Sequence, residues 1–342
     1  MPKLLSDGEL ESKPVDGSVE KPRPFKVIRW IATALAIGVL LAPLAIAVSA
    51  LSGFEHRWPD ILAQFTAPAL VVTAAFAIAL GLLRLKTAFG LAVVVVLALG
   101  IAVWPQWGAD RGKLQAGAPV LTLYSANLYY LNADTARIRA SIVEARPDIV
   151  VLVEASREVV AQLDTVLAEY PNRQVTPNRL REGMDGTVIA SRYPLQSRPA
   201  GIPSQNYAIA LVESPLGRIN VVGAHLTRPW PYQVQWEQIR RAEQLSTLMS
   251  DLGGSAIVAG DFNSVSSARI GRQIQRQTSL KPNPGWPGTW PAQLPAFLGF
   301  TIDQVYRTPD LAVVSRRVGL PTGSDHRPVV TQLTRAEPQP AP

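Results

Sequence analysis

Two short stretches of the chain combine residue types that hydrolytic enzymes use. The stretch AIVAGDFNSV, residues 256–265, opens as an apolar run typical of a buried strand and then carries Asp261 and Asn263. The stretch SDHRPV places Asp325 beside His326, just before another apolar run. Carboxylate and amide oxygens are ligands that hard divalent cations prefer, and histidine exchanges protons near neutral pH. These residue types suit metal-assisted hydrolysis.

Further polar side chains follow other predicted strands. Asn127 follows the alternating run VLTLYSA, Glu154 follows the apolar run IVVLV, and His225 follows INVVGA. The short run TIDQVY contains Asp303. Short β-like runs mixed with amphipathic helices predict an α/β sandwich, in which these polar residues gather at one edge of stacked sheets.

Taken singly, each of these side chains has an ordinary structural explanation. A turn, a helix cap, an ion pair or a satisfied buried histidine accounts for any one of them. Their occurrence together, each beside a predicted strand, favours a functional site. The set comprises Asn127, Glu154, His225, the Asp261 and Asn263 pair, Asp303 and His326.

The order and character of these residues resemble the endonuclease/exonuclease/phosphatase superfamily, which includes deoxyribonuclease I, abasic-site endonucleases, sphingomyelinases and inositol polyphosphate phosphatases. The resemblance covers residues 120–334, and the motifs GDFN and SDHRPV, at 260–263 and 324–329, are specific as a pair. It implies a deoxyribonuclease I-like fold, a four-layer α/β/β/α sandwich, in a membrane-anchored bacterial member.

The resemblance also implies catalytic and substrate-binding roles. The aspartate that matches Asp261 activates or orients the attacking water, and the asparagine that matches Asn263 contacts the phosphate. His326 would hydrogen-bond the phosphoryl group or transfer a proton, held in its tautomer by Asp303. His225 would assist the leaving group or bind phosphate.

A divalent-metal site is expected among the acidic residues. Glu154 is a hard oxygen ligand suited to Mg²⁺ or Mn²⁺, Asn127 would help to hold the ion or the substrate, and Asp325 would help with metal or orientation. The chain has no cysteine and only three histidines. A thiolate zinc site is therefore excluded, and an all-histidine site is disfavoured.

Two positions depart from the family pattern. Gln304 follows Asp303, where the family often has an aromatic residue or histidine. In deoxyribonuclease I, a second glutamate pairs with the histidine that matches His225. This chain has no clear counterpart of that glutamate, although Glu182 and Asp185 lie in the corresponding region. The local substrate pocket is therefore the least predictable part of the site.

Three segments without Asp, Glu, Lys or Arg precede this part of the chain: Trp30–Phe54, Ile61–Leu83 and Thr87–Ala109. Each is long enough for a helix across about 30 Å of hydrocarbon, so three transmembrane helices are predicted in preference to buried core helices. Basic residues between positions 21 and 29, and again at Arg84 and Lys86, are expected in the cytoplasm. Three crossings then place the remainder outside the cytoplasm, in the periplasm of a bacterium, as part of a multi-pass inner-membrane protein.

The loop NPGWPGTWPAQLP, residues 283–295, carries Trp286 and Trp290. Together with Trp230 and Trp236, these residues could line an active-site rim or simply pack the loop onto the domain.

Composition also predicts the boundaries between segments. The predicted segments are a disordered cytoplasmic tail (1–25), a three-helix membrane anchor (26–104), a linker (105–119), a catalytic domain (120–334) and a flexible C-terminal tail (335–342).

These observations lead to a functional hypothesis with two alternatives. The chain is interpreted as a membrane-anchored, metal-dependent phosphoesterase, with a nuclease-like phosphodiesterase first and a phospholipid or sphingomyelin-type phosphodiesterase second. A non-catalytic module that binds phosphate-bearing ligands is the third possibility. The net charge of +7 suits an anionic substrate or membrane surface without requiring nucleic acid. The expected partners are a phosphate ester and the lipid bilayer, and no protein partner can be inferred.

Overall fold

The computed structural model describes residues 24–177, 185–198, 207–229 and 234–338. The described part consists of an apolar helical unit followed by a mixed α/β unit with two sheets. The predicted N-terminal tail, the end of the C-terminal tail, Glu182 and Trp230 lie outside the described residues.

The helical unit contains two helices that are long and apolar enough to span a membrane, Phe25–Leu51 and Lys86–Trp107. The predicted second helix, Ile61–Leu83, is wrong as a single element, because two helices meet there at an angle of 57°. A third span results only if this bent pair counts as one. The helices are α1 (Pro24–Leu51), α2 (Arg57–Ala63), α3 (Thr66–Leu82) and α4 (Lys86–Trp107).

Polar contacts from α2 to the second unit explain the break. Asp60 is buried and accepts hydrogen bonds from the backbone N–H of Arg269, at 3.0 Å, and from the side chain of Gln235. Gln64 Oε1 accepts from the backbone N–H of Val265 at 2.8 Å. A straight helix that continued α3 would carry these groups away from their partners. Residues 57–60, which lie between the first two segments predicted to cross the membrane, are therefore helical and docked onto the second unit.

The end of α4 makes a second polar connection. Gln106 donates to Ser267 Oγ at 3.0 Å and accepts from Thr301 Oγ1 at 2.9 Å. Its backbone carbonyl accepts from the N–H of Gly285 at 2.7 Å. We call Asp60, Gln64 and Gln106 the junction residues, since they join the helical unit to the loops of the α/β unit.

The chain that leaves α4 also packs onto the α/β unit. The carbonyl of Arg111 accepts from the N–H of Val313 at 2.7 Å, and the carbonyl of Lys113 accepts from Glu337 at 2.9 Å. An isolated bridge pairs Leu114 with Ala336. The segment predicted as a linker is thus hydrogen-bonded along much of its length.

Two six-stranded sheets form the α/β unit. Their strand orders are β11-β12-β1-β2-β4-β3 and β5-β6-β7-β8-β10-β9. The strands are β1 (Leu121–Asn127), β2 (Ile149–Ser156), β3 (Asn172–Pro177), β4 (Asp185–Ser191), β5 (Leu195–Ser197), β6 (Tyr207–Ser214), β7 (Gly217–His225), β8 (Ala256–Asp261), β9 (Lys281–Pro282), β10 (Asp303–Arg307), β11 (Leu311–Val318) and β12 (Val329–Arg335).

Helices cover the outer face of each sheet, which gives the four layers expected from the sequence. One apolar core lies between the sheets and joins residues such as Val151 and Ile257. A second core packs Ile138 and Leu163 against the first sheet, and a third packs Leu245 against the other sheet. The helices are α5 (Thr135–Ala145), α6 (Arg157–Ala161), α7 (Leu163–Val166), α8 (Gln235–Leu252) and α9 (Arg269–Gln277), with a 3₁₀ turn at Ala296–Leu298.

The centre of each sheet is a parallel pair joined through a helix. β1 pairs with β2 in parallel, with Asn127 opposite Val153, and β7 pairs with β8, with His225 opposite Asp261. Parallel strands end at the same edge of a sheet, so their terminal polar residues meet there. Antiparallel β10 begins at this edge, because Asp303 lies opposite Asp261.

Gly260 allows the close pairing of β7 and β8 that this edge requires. Its φ of 144° is strained for other residues, and an added Cβ would lie 2.0 Å from the carbonyl oxygen of Ala224. We expect Gly260→Ala to lower the melting temperature of the full-length protein in detergent by about 5 °C or more. Gly38→Ala is the control, because no atom lies within 4 Å of its added Cβ. Equal melting temperatures for both variants would contradict the argument.

Candidate active site

Asp303 and His326 form a buried acid–histidine pair. His326 Nδ1 lies 2.9 Å from Asp303 Oδ2 and 3.2 Å from Oδ1. The backbone N–H of His326 donates to Ser324 Oγ at 3.0 Å, which orders the turn before β12. Because Nδ1 is engaged by the carboxylate, Nε2 is the ring nitrogen that faces the rest of the site, 3.9 Å from Asp261 Oδ2.

Asp261 occupies the centre of the group. Its carboxylate accepts from Asn127 Nδ2 at 3.0 Å, and from the backbone N–H and Nδ2 of Asn263 at 2.7 and 3.1 Å. Asn263 has a φ of 48°, which bends the chain back onto the aspartate, and its Nδ2 also donates to the carbonyl of Leu226 at 2.9 Å. The GDFN motif is therefore a tight turn that fixes the orientation of the Asp261 carboxylate.

Glu154 and His225 lie on the other side of Asp261. His225 Nε2 is 3.2 Å from Glu154 Oε1 and 4.0 Å from Asp261 Oδ2. Glu154 has a φ of 51°, and the β2–β4 register shifts between Leu152 and Ala155. Bulges of this kind re-aim side chains beside active sites. Within the described residues, Glu154 is thus an acidic partner of His225, a pairing that sequence analysis did not predict.

Asp325 stands at the rim of the site. Its Oδ2 accepts from Trp290 Nε1 at 3.1 Å, and its backbone carbonyl accepts from the N–H of Ala292 at 2.7 Å. The loop rich in tryptophan and proline therefore contacts the SDHRPV motif directly. Trp290 lines the cavity, which agrees with the interpretation of this loop as part of an active-site rim. Trp286 packs instead near Trp107, with ring centroids 6.0 Å apart.

A cavity of about 300 Å³ lies beside Glu154, Asp261 and His326. One side of the cavity consists of the polar edge residues. The other side is apolar and includes residues from α2 and from the turn between α2 and α3, which sequence analysis assigned only to the membrane. The residues that line it are Ile61, Gln64, Phe65, Asn127, Tyr129, Glu154, Arg228, Pro229, Asp261, Asn263, Trp290, Phe300, Ile302, Asp325 and His326.

Burial and charge shift the pKa values at the centre of the site. Burial by itself lowers the pKa of His326, but the neighbouring carboxylates of Asp303 and Asp261 outweigh it and raise this pKa to about 10. Burial, together with Asp303, raises the pKa of Asp261 to about 6, against the lowering effect of His326. Before any metal binds, His326 is thus a cation at neutral pH and a hydrogen-bond donor.

The donor set of the site fits a hard divalent cation. Ligand atoms of Asp261, Asp303 and His326 all lie within 4.8 Å of one another. Glu154 and Asn127, predicted as metal ligands, line the same cavity. Asn127 Oδ1 accepts from the N–H of Tyr129 at 2.9 Å, which leaves a second lone pair on that oxygen. Carboxylate and amide oxygens in this arrangement suit Mg²⁺ or Mn²⁺ rather than a thiophilic metal.

The structure brings every predicted site residue to one edge of the two sheets. Of the two departures from the family pattern, the one at Gln304 has a structural role in the fold. Gln304 is buried and donates to the carbonyl of Thr301, so it supports the strand rather than the pocket.

Sequence analysis did not predict that Ile61, Gln64 and Phe65 line the cavity. Polar residues within apolar helices, such as Gln64 and Gln106, were the sequence signal that could have revealed it.

The sequence matches the endonuclease/exonuclease/phosphatase family over residues 124–326. That range contains the predicted polar residues of the site, from Asn127 to His326, and the strands from β2 to β11 together with the end of β1. The chain therefore belongs to the endonuclease/exonuclease/phosphatase family, whose members are generally hydrolytic phosphoesterases. No curated protein matches the sequence.

Solved structures share the fold at low sequence identity. The Bacteroides vulgatus endonuclease/exonuclease/phosphatase is 16% identical, with a TM-score of 0.53 over 64% of this chain and 99% of its own. The corresponding Bacteroides thetaiotaomicron family protein is 16% identical, with a TM-score of 0.52 over 64% and 99%. The endonuclease domain of TRAS1, a telomere-specific non-LTR retrotransposon, is also 16% identical, with a TM-score of 0.51 over 64% and 100%. This similarity establishes the fold.

The pKa of His326 can be tested directly, because the chain has only three histidines. In Asp303→Asn we expect the pKa of His326 to fall below about 10, since one carboxylate that stabilises the imidazolium is lost. Titration by NMR of ¹⁵N-histidine-labelled, metal-free protein would measure the shift. Asp164→Asn, which removes an exposed carboxylate elsewhere, is the control. The same His326 titration in both variants would refute the proposed coupling.

Proposed function

We propose that this protein is a divalent-metal-dependent phosphodiester hydrolase attached to a membrane. The observation that carries the proposal is a cavity lined by Glu154, Asp261 and His326. Asp303 contacts His326, and His225 contacts Glu154, so two acid–histidine pairs flank Asp261 there. Hydrolysis of a phosphate ester needs a positioned water, a donor to the phosphoryl oxygens and a group near the leaving oxygen. These two pairs and Asp261 can supply all three functions.

Each side chain has a specific task in this proposal. Asp261, held by Asn127 and Asn263, orients the attacking water and accepts its proton. His326, protonated and fixed by Asp303, donates to a phosphoryl oxygen from Nε2. His225, beside Glu154, faces the leaving oxygen. Asn127, Asn263 and His225 also contact the substrate phosphate.

A bound Mg²⁺ or Mn²⁺ would neutralise charge on the phosphoryl oxygens. Glu154, Asn127 and Asp325 are the residues that we propose to hold it, with the nearby Asp261 carboxylate as a further candidate. A module that only binds phosphate does not require Asp261 together with the Asp303–His326 and Glu154–His225 pairs. The arrangement therefore favours turnover over binding alone. Nucleic acids and phospholipids both offer a phosphodiester to this site.

The membrane proposal rests on the apolar helices. α1 and α4 each satisfy the length and hydropathy needed to cross a bilayer, and the α2 and α3 pair would make a third crossing with a bend at its start. Arg84 lies between α3 and α4, and Lys86 is the first residue of α4, as the positive-inside rule expects for a cytoplasmic connection. We propose an inner-membrane protein whose active site lies outside the cytoplasm.

Hydrolysis of bis-p-nitrophenyl phosphate by the full-length protein in detergent tests the activity. We expect turnover with Mn²⁺ or Mg²⁺, loss of turnover with EDTA, and a decrease of about 100-fold or more in His326→Ala, because the phosphoryl donor is removed. Glu154→Gln should weaken Mn²⁺ binding, measured by calorimetry, by about 10-fold or more.

Glu144→Gln is the matched control for these variants, since Glu144 forms only an exposed ion pair with Arg317. It should retain wild-type turnover and Mn²⁺ affinity. Turnover that persists in EDTA, or a folded His326→Ala variant with wild-type turnover, would be incompatible with the proposed chemistry.

Reporter fusions in a bacterial host test the orientation. Alkaline phosphatase fused after Pro342 should be active, because that enzyme requires an extracytoplasmic location. The same reporter fused after Leu85, between α3 and α4, should be inactive, whereas a green fluorescent protein fused there should fluoresce. The reverse pattern at both positions would overturn the proposed topology.

A further inference from the structure

The catalytic cavity has an apolar wall that the proposed chemistry does not use. Ile61 and Phe65 come from the helical unit, and Phe300 and Ile302 come from the segment before β10. Phe65 is the residue that precedes α3, one of the apolar helices. We call these four residues the apolar wall. It begins where a proposed membrane helix begins and ends at the catalytic groups.

Aromatic rings continue this wall up to the catalytic histidine. The rings of Phe65 and Phe300 pack edge to face, with centroids 5.0 Å apart at 88°. Phe300 packs against Trp290 at 5.5 Å, and Trp290 lies 6.4 Å from the His326 ring. Phe65 remains 42% exposed, so part of its surface is available for contact. An apolar path therefore runs from the start of α3 to His326.

The junction residues hold this wall in place. Gln64, next to Phe65, accepts from the backbone N–H of Val265, and Asp60 accepts from that of Arg269. Both partners lie in the chain that immediately follows Asp261 and Asn263. Val265 is the second residue after Asn263 and Arg269 is the first residue of α9, so these hydrogen bonds connect the apolar wall to the chain that follows the catalytic turn.

The character of the wall argues against a nucleic acid as the preferred substrate. Single-stranded nucleic acids bind to open aromatic faces within grooves rich in basic residues. Here the rings pack against one another, and Arg228 is the one Lys or Arg among the described residues that line the cavity. Sugars and phosphates placed along the wall would lose hydration without gaining partners.

We infer that the apolar wall binds the hydrocarbon next to the scissile phosphate of a membrane phospholipid, so that the substrate is a lipid phosphodiester. This inference rests on the proposed phosphodiesterase activity and specifies its substrate class. At about 300 Å³ the cavity is at the small end of ligand sites, so it holds the phosphate and its neighbouring carbons while the acyl chains remain in the bilayer.

The reaction is a hydrolysis that balances without a further reactant. The water oxygen bonds to phosphorus, and one of the two phosphorus–oxygen ester bonds breaks. One proton of the water passes to Asp261, and the leaving oxygen receives a proton from His225. Asp261 then returns its proton to solvent, and His225 takes up a proton from solvent. The products are a phosphate monoester and an alcohol. Mass spectrometry of the products identifies the bond that is broken.

A substrate series with the full-length protein tests the inference. Phosphatidylglycerol and phosphatidylcholine vesicles, their deacylated glycerophosphodiesters, a single-stranded DNA oligonucleotide and bis-p-nitrophenyl phosphate would be compared in the presence of Mn²⁺. We expect kcat/KM for at least one phospholipid to exceed that for its deacylated form by about 10-fold or more, because burial of hydrocarbon contributes to binding. A preference for DNA, or equal values for acylated and deacylated diesters, would overturn the inference.

Variants of the wall separate a substrate contact from a structural role. Phe65→Ala should lower kcat/KM for the phospholipid about 10-fold more than for bis-p-nitrophenyl phosphate, and Phe65→Leu should restore part of the loss. Phe297→Ala is the matched control, because Phe297 is a similarly exposed phenylalanine that does not line the cavity. Equal losses on both substrates in Phe65→Ala would assign Phe65 a purely structural role and refute the inference.

The same series distinguishes failure of this inference from failure of the proposed function. Hydrolysis of bis-p-nitrophenyl phosphate without hydrolysis of any phospholipid would refute the lipid substrate and leave the phosphodiesterase standing. Absence of turnover on all substrates by the folded, Mn²⁺-bound protein would refute both.

Discussion

The close pairing of β7 with β8 is the constraint on which the site depends. Ala224 lies opposite Gly260 and His225 opposite Asp261, and no side chain fits between the strands at Gly260. This register brings His225 and Asp261 side by side, and the antiparallel start of β10 adds Asp303 next to Asp261. The first sheet repeats the arrangement with β1 and β2, which bring Asn127 and Glu154 to the same edge. Stacking of the two sheets over a shared apolar core then closes the site.

The concentration of acidic groups creates an electrostatic cost that the site has to offset. Asp261, Asp303 and Glu154 are all nearly inaccessible to water, where an unpaired carboxylate is strongly disfavoured. Amide donors and two histidines compensate part of this charge, and a divalent cation would compensate more. The raised pKa of His326 follows from the same balance, because the protonated ring is stabilised by two carboxylates. A site organised in this way is suited to bind a cation and an anionic phosphate together.

The helical unit contributes to the site as well as to the proposed anchoring. Asp60 and Gln64 direct their hydrogen bonds to the chain that follows the catalytic turn, while Gln106 connects α4 to the loops before β10. Phe65 consequently forms part of the cavity that contains His326. In the membrane orientation that we propose, a wall shared with the start of an apolar helix would face molecules at the bilayer surface. The inference of a lipid substrate, rather than another phosphodiester, depends on this placement.

The sequence by itself determined the α/β class, and its resemblance to a known family supplied the four-layer sandwich and the set of candidate site residues. Short apolar runs that end in Asn127, Glu154, His225 and Asp261 specify both the strands and the chemistry, because strand periodicity and side-chain type are local properties. The break between α2 and α3, the pairing of His225 with Glu154 and the apolar wall were decided only by the tertiary structure. Each depends on contacts between residues far apart in the chain, such as Asp60 with Arg269, or Phe65 with Phe300. Local patterns carry no information about such contacts, because these form only when separate units pack together.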